Sequence, residues 1–189
     1  MDSALIICGV DKGVAFYKKL LADSANVNAS SAKSGAEARR LFIDNDYELV
    51  LIHAPLPDEF GTELAIAVAE RTTAGVLLVT KREMCDDLAQ KVEDWGVIVV
   101  EWPLNAQMFH QAMKIAAASR RRMLGLKSKN VELRRQIDEM KQIDRAKCLL
   151  IAHNGMTEPQ AHRYIEKQAM DRRVTRREIA AAVIAKYDG

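Results

Sequence analysis

Residues 145–189 read RAKCLLIAHNGMTEPQAHRYIEKQAMDRRVTRREIAAAVIAKYDG, and their punctuation sets out three short helices. Thr157 with Gln160, and Thr175 with Glu178, both fit the S/T-x-x-E/Q capping box, in which a hydroxyl serves a free backbone N–H and the long side chain reaches back. Gly155 suits the left-handed residue that ends many helices, and Pro159 suits a first turn that needs no N–H. Breaks are therefore expected near 154–157 and 172–175. Leu149, Ile151 and Ala152 on the first helix, Ala161, Tyr164, Ile165, Gln168 and Ala169 on the second, and Ile179, Ala182 and Val183 on the third recur at three- and four-residue spacing, which predicts one apolar stripe per helix. The heavy use of alanine predicts close helix approach.

The segment also resembles the ANTAR domain. The resemblance is carried by Ala146-Lys147, Leu149-Leu150, Gly155 through Glu158, Gln160 through Ile165, Gln168 through Asp171, and Thr175 through Val183. It implies a three-helix RNA-binding module at the end of a response regulator, one that holds hairpins in a nascent transcript and keeps polymerase from terminating. Candidate RNA contacts are Arg163 and Lys167, four apart on one helix face, and Arg172, Arg173, Arg176 and Arg177 around the next turn. Cations gathered at a helix start can grip phosphates, and arginine also stacks on unpaired bases. Ala161 falls where the family keeps a small side chain for close RNA approach, although tight helix packing explains an alanine equally well. Tyr164, on the apolar stripe, is expected in the core.

Towards the N-terminus, Arg120 to Asp144 is polar, lacks proline and holds one glycine, which predicts one long helix continuing from residue 105. Met123, Leu126, Asn130, Leu133, Ile137 and Met140 follow alternating steps of three and four, the pattern of a short coiled-coil seam. An asparagine inside such a seam costs stability, fixes register and favours two strands. A parallel homodimer is expected; packing of the stripe on the chain's own domains is the alternative.

The first 119 residues alternate strand-like and helix-like segments, which predicts a parallel sheet covered by helices on both faces. Strands are expected at 4–10, 26–30, 47–53, 75–80 and 96–101, and helices at about 12–23, 34–45, 61–71, 84–95 and from 105. Ala4–Ile7, Leu49–Ile52, Val76–Val79 and Val97–Val100 are unbroken apolar runs, as strands buried on both faces should be. Five β/α units of this size resemble the receiver domain of response regulators. Leu56-Pro57-Asp58 followed by Gly61–Leu64 is similar to the loop after the third receiver strand, and Thr80 stands where receivers keep a hydroxyl.

Departures from that family bear on chemistry. The place of the phosphoryl-accepting aspartate is taken by His53, that of the magnesium-holding acidic pair by Cys8-Gly9, and that of the phosphate-pairing lysine by Trp102. Aspartyl phosphotransfer needs a carboxylate nucleophile, oxygen ligands for a hard cation and a positive charge beside the phosphoryl group. Those residues supply none of the three, so a pseudo-receiver is expected. Asp11 and Asp58 lie near enough in sequence to approach the pocket singly. The resemblance also implies a cis bond at Trp102-Pro103. For His53 the plain reading is a hydrogen-bonded histidine at a strand end; a pH switch or a small-ligand contact are the alternatives.

The net charge of +2 over 189 residues hides an asymmetry: 1–119 carries 11 Lys/Arg against 17 Asp/Glu, and 120–189 carries 17 against 9. An acidic front and a basic tail point to regulation followed by polyanion binding. Met1-Asp2-Ser3 has no basic n-region and no apolar run reaches a membrane span, so a cytoplasmic protein is expected. Cys8, Cys85 and Cys148 are expected as reduced, buried thiols, and the four scattered histidines predict no metal site. No Gly-rich phosphate loop or nucleophile elbow points to an enzyme, and no cofactor is expected. The expected organisation is a pseudo-receiver at 1–119, a coiled-coil helix at 120–144 and an ANTAR domain at 145–189. The function expected is phosphorylation-independent antitermination by a dimer on paired leader hairpins, under a sensor protein. A signalling adaptor working through protein contacts is the alternative.

Overall fold

A computed structural model describes residues 2–24 and 27–187. The chain divides into two compact units, Met1–Gly125 and Leu126–Gly189. In the first, strands β1 (Ser3–Ile7), β2 (Asn28–Ala32), β3 (Leu49–His53), β4 (Gly75–Lys81) and β5 (Ile98–Trp102) form one parallel sheet in the order β2-β1-β3-β4-β5. Helices α1 (Asp11–Ser24), α2 (Gly35–Asp44), α3 (Thr62–Arg71) and α4 (Arg82–Val92) alternate with the strands, and a 3-10 turn, Glu93–Trp95, follows α4. Helix α5 runs without a break from Ala106 to Asn154.

Alternate strand residues part to opposite faces of the sheet. Ala4, Ile6, Leu49, Leu51, Leu77 and Val79 pack with Tyr17, Leu20 and Leu21 of α1 and with Phe109, Ala112, Met113 and Ala116 of α5. Leu5, Ile7, Val50, Ile52, Val76 and Leu78 pack with Ala38 of α2, Leu64, Ala65 and Val68 of α3, and Leu88 and Val92 of α4. That double burial is why these strands read as unbroken apolar runs.

Several boundaries differ from expectation: β3 and β5 begin at Leu49 and Ile98, two residues after their expected starts at 47 and 96, and β2 runs on to Ala32. Strand β1 stops at Ile7; the Cys8 N–H still bonds to the Ala32 carbonyl of β2 at 3.0 Å, and the chain then turns into α1 at Asp11. Strand β2 starts at Asn28, and its expected start at Asn26 lies outside the described residues. The expected helix at 84–95 begins two residues earlier and tightens to 3-10 geometry before Gly96, which is left-handed at φ 70°.

In the second unit, α6 (Glu158–Arg172) and α7 (Arg176–Tyr187) fold against the end of α5. The expected punctuation is present. Gln160 accepts from the Thr157 N–H at 2.9 Å, and Thr175 and Glu178 exchange both bonds of a capping box, at 2.8 and 3.2 Å. Gly155 is left-handed at φ 64°. The core is Ala146, Leu150, Ala161, Ile165, Ala169, Ile179, Ala180 and Val183. The stripes are thus rotated from those expected: Ile151, Ala152, Tyr164 and Ala182 are exposed, and Ala146, Leu150 and Ala180 are buried in their stead. Among the described residues no helix is long and apolar enough to cross a membrane, and no cluster of metal-ligating side chains occurs.

Candidate nucleic-acid interface and altered receiver pocket

The strand ends bring Cys8, Gly9, His53, Thr80 and Trp102 to the carboxyl edge of the sheet, where a receiver holds its phosphorylation site. What fills the place is aromatic. The Tyr17 hydroxyl lies 2.6 Å from His53 Nδ1, a hydrogen bond in which either group can donate. The Trp102 ring stands 5.0 Å from the His53 ring, nearly perpendicular to it, and 5.4 Å from Phe16 in the same edge-on manner. Tyr17 is wholly buried, and it also lies against Phe109 of α5. Burial, and after it the nearby Cys8, pushes the Tyr17 phenol far above its ordinary value, so it remains protonated. Desolvation lowers the His53 pKa, which favours neutral imidazole. His53 is thus a hydrogen-bonded histidine at a strand end. Tyr17, which closes its hydrogen bond, carries one signal in the sequence, its place beside Phe16 on the apolar side of α1 with Leu20 and Leu21.

Neither nearby aspartate takes part. Asp11 pairs at 2.8 Å with Lys33, whose pKa is raised by that hydrogen bond and charge. Asp58 accepts from the N–H groups of Gly35 and Ala36, both at 2.9 Å, while Ser34 Oγ accepts from Glu37. These bonds satisfy the free first turn of α2, and the two backbone donors hold the Asp58 carboxyl below its ordinary value. A Cβ at Gly9 would meet Pro57 Cγ at 2.8 Å, so the loop carrying Asp58 also closes over the former acidic pair. Thr80 is buried near the end of β4, and the Trp102-Pro103 peptide is cis.

In the second unit, Arg163, Lys167, Arg172, Arg173, Arg176 and Arg177 are all exposed. They do not make one patch. Arg163 and Lys167 lie on the side of α6 turned away from its buried Ala161, Ile165 and Ala169. Arg172 shares a row with Tyr164 and Gln168, at four-residue steps, beside α7. Arg173 caps α6 in the left-handed region at φ 55°, and it is the only described non-glycine residue with positive φ. Arg176 lies 3.7 Å from Glu166, and Arg177 Nε donates to Gln142 at 3.2 Å. Lys147 is engaged by Asp144 and Glu158, at 2.8 and 3.0 Å, tying α5 to α6. Ala161 has no exposed surface and packs in the three-helix core, so the structure gives it a helix-spacing place and not the RNA-facing one expected of it. Of the cysteines, Cys8 is buried, Cys85 half-buried and Cys148 exposed, so burial is general to none but the first.

A receiver-fold unit followed by a three-helix module is the architecture of a response regulator, and residues 131–184 match the ANTAR domain family. The chain thus carries an ANTAR domain at 131–184, behind a unit with the receiver fold. It is 29% identical to the transcriptional regulatory protein PdtaR of Mycobacterium tuberculosis over 154 residues, covering 81% of this chain and 75% of that one. It is 33% identical to the aliphatic amidase regulator of Pseudomonas aeruginosa over 119 residues, 61% of this chain and 58% of that protein. The fold matches the response regulator receiver domain protein from Clostridium thermocellum with a TM-score of 0.58 at 20% identity, over 66% of this chain and 99% of the other. The signal receiver domain of an HD domain-containing protein from Pseudomonas fluorescens gives 0.58 at 17% identity, over 66% and 92%.

Proposed function

We propose that the protein is an RNA-binding transcription antitermination regulator that works without aspartyl phosphorylation, in the cytoplasm. Residues 1–119 serve as a pseudo-receiver, 120–144 as a dimerising coiled coil, and 145–189 hold RNA. The observation that carries the reading is the ANTAR match over 131–184, on a unit whose Arg163, Lys167, Arg172, Arg173, Arg176 and Arg177 are exposed. As a dimer the protein would present two ANTAR modules to two adjacent leader hairpins, and so keep a terminator from forming.

Phosphorylation independence rests on the aromatic filling of the strand-end pocket, where Tyr17 and Trp102 lie against His53. Control would then come from a partner sensor protein that sequesters or releases the dimer. The basic contacts proposed are Arg163, Lys167, Arg172, Arg173, Arg176 and Arg177.

The test is binding to a two-hairpin leader RNA across a salt series, with scrambled RNA and duplex DNA as competitors. Specific binding without a phosphodonor is expected. Alanine at Arg173 or Arg177 should cost about 1–3 kcal/mol where the side chain reads a base, or flatten the salt dependence by about one charge where it touches phosphate. Unchanged affinity in a folded double variant would remove both from the interface. A salt-insensitive protein that binds no RNA would favour the adaptor reading.

A further inference from the structure

One groove of the ANTAR unit joins aromatic, cationic and amide groups on an apolar floor. Its walls are two helix rows. Tyr164, Gln168 and Arg172 come from α6 at four-residue steps, and Ile179, Ala182, Val183 and Lys186 come from α7 at three- and four-residue steps; Leu150 and Tyr187 close it. The floor of Leu150, Ile179 and Val183 is buried, and Tyr164 keeps 37% of its surface open to solvent. No carboxylate lines the groove, whereas two cations do.

Tyr187 is pre-oriented. Its ring stacks on His153 with centroids 4.8 Å apart and planes 12° apart, and its hydroxyl donates to Asn154 Oδ1 at 2.8 Å. The Lys186 ammonium lies 4.9 Å from the same ring, on an exposed side chain free to move to a phosphate. The cavity is about 250 Å³. That is below the range of about 300–1,000 Å³ usual for drug-sized ligands, and it fits one flat group. Two of the lining residues, Lys186 and Tyr187, lie beyond the 131–184 family match, so the groove is not simply the module's shared part.

We propose that this groove takes a single unpaired base of the bound RNA, stacked on Tyr164, with Gln168 meeting its edge and Arg172 and Lys186 its flanking phosphates. The inference rests on the RNA-binding reading above. Aromatic faces stack on any base, an amide offers a donor and an acceptor together, and positive groups beside such a platform hold the backbone. An acidic or apolar peptide would use the cations or the floor alone, and would leave the exposed tyrosine face and the amide unexplained.

The experiment uses the full chain and a pool of RNA stem-loops with randomised loops, compared with the same stem closed by an abasic loop of equal length. Wild-type protein should bind the base-bearing pool about tenfold more tightly, in line with stacking of one base. Tyr164→Leu should abolish that preference while leaving affinity for the abasic loop unchanged, and Tyr164→Phe should keep it. Comparing protein and RNA changes in one cycle separates the contact from any fold effect. A preference that survives in Tyr164→Leu, or an equal loss for both RNAs, overturns the proposal. Equal binding of both RNAs by the wild type also overturns it while RNA binding stands; binding of neither RNA removes the reading on which it rests.

Discussion

At the scale of single residues, the altered receiver pocket is consistent in its chemistry. An aspartate receiver needs charges; here a phenol, an imidazole and an indole share the same volume. Replacing His53 by aspartate would put back the nucleophile, but not the cation site, since Cys8 and Gly9 remain and a side chain at Gly9 would collide with Pro57. We therefore expect His53→Asp to take up no phosphoryl group from acetyl phosphate, read by phosphate-affinity gel or mass. A stable acyl phosphate would show that the pocket is less altered than its residues imply. The histidine also carries a pH signature. Its folded pKa is depressed, so the unfolded chain binds the proton more readily between that value and about 6.5. Stability of the first unit should be full above that window and fall as pH drops through it. In His53→Gln that slope should shrink, as read from urea midpoints between neutral and mildly acidic pH. Equal slopes in both proteins would mean that His53 is as easily protonated folded as unfolded.

At the scale of elements, the parallel strands were legible because burial on both faces leaves no room for polar residues at either parity. Helix starts were legible where a hydroxyl and a carboxylate or amide stand three apart. Thr175 Oγ1 accepts from the Glu178 N–H at 3.2 Å, so Thr175→Ala should cost about 1 kcal/mol in the second unit, seen as a lower melting temperature. It should also loosen Arg176 and Arg177, weakening RNA binding beyond the loss of stability. The backbone and side chain of Thr175 hold the Glu178 carboxyl below its ordinary value, so this cap is intact above the normal carboxylate range and is lost in acid. What could not be read was helix rotation. Tyr164 and Ala161 both fit an apolar stripe by spacing, and only packing against α5 and α7 decided that Ala161 is buried and Tyr164 exposed. The pocket filling was hidden for a similar reason, since Tyr17, His53 and Trp102 meet across three separate elements. Close approach of α5 to β4 was equally silent. A Cβ at Gly75 would lie 2.8 Å from the Ala116 carbonyl oxygen, a backbone atom that cannot step aside. Gly75→Ala should cost about 1–3 kcal/mol by overpacking, measured by chemical denaturation; a neutral result would mean that α5 shifts freely on the sheet.

At the scale of the whole molecule, the open question is what covers the middle of α5. No residue between Ala116 and Ala146 is buried, yet long helices draw most of their stability from packing an apolar face. Met123, Leu126, Leu133, Ile137 and Met140 are 47–65% exposed in the single chain, and with Asn130 they keep the alternating three- and four-residue steps of a seam. Pairing with a second copy would bury them, and would place Asn130 where a polar residue fixes register at some cost in stability. The chain should therefore sediment as a dimer, and Leu133→Glu with Ile137→Glu should shift it to monomer without unfolding the sheet. Asn130→Ile should raise the melting temperature and weaken its dependence on concentration. Pairing also has a functional signature that stability cannot mimic. Two linked modules convert the second hairpin's binding into an intramolecular event, so the wild type should prefer a two-hairpin RNA over a single hairpin by about 10²–10⁴, if the spacing suits both sites. The charge-substituted monomer should bind single hairpins as well as the wild type and lose the preference for pairs. A wild type that remains monomeric and shows no such preference would assign the stripe to another partner and leave each ANTAR unit acting alone.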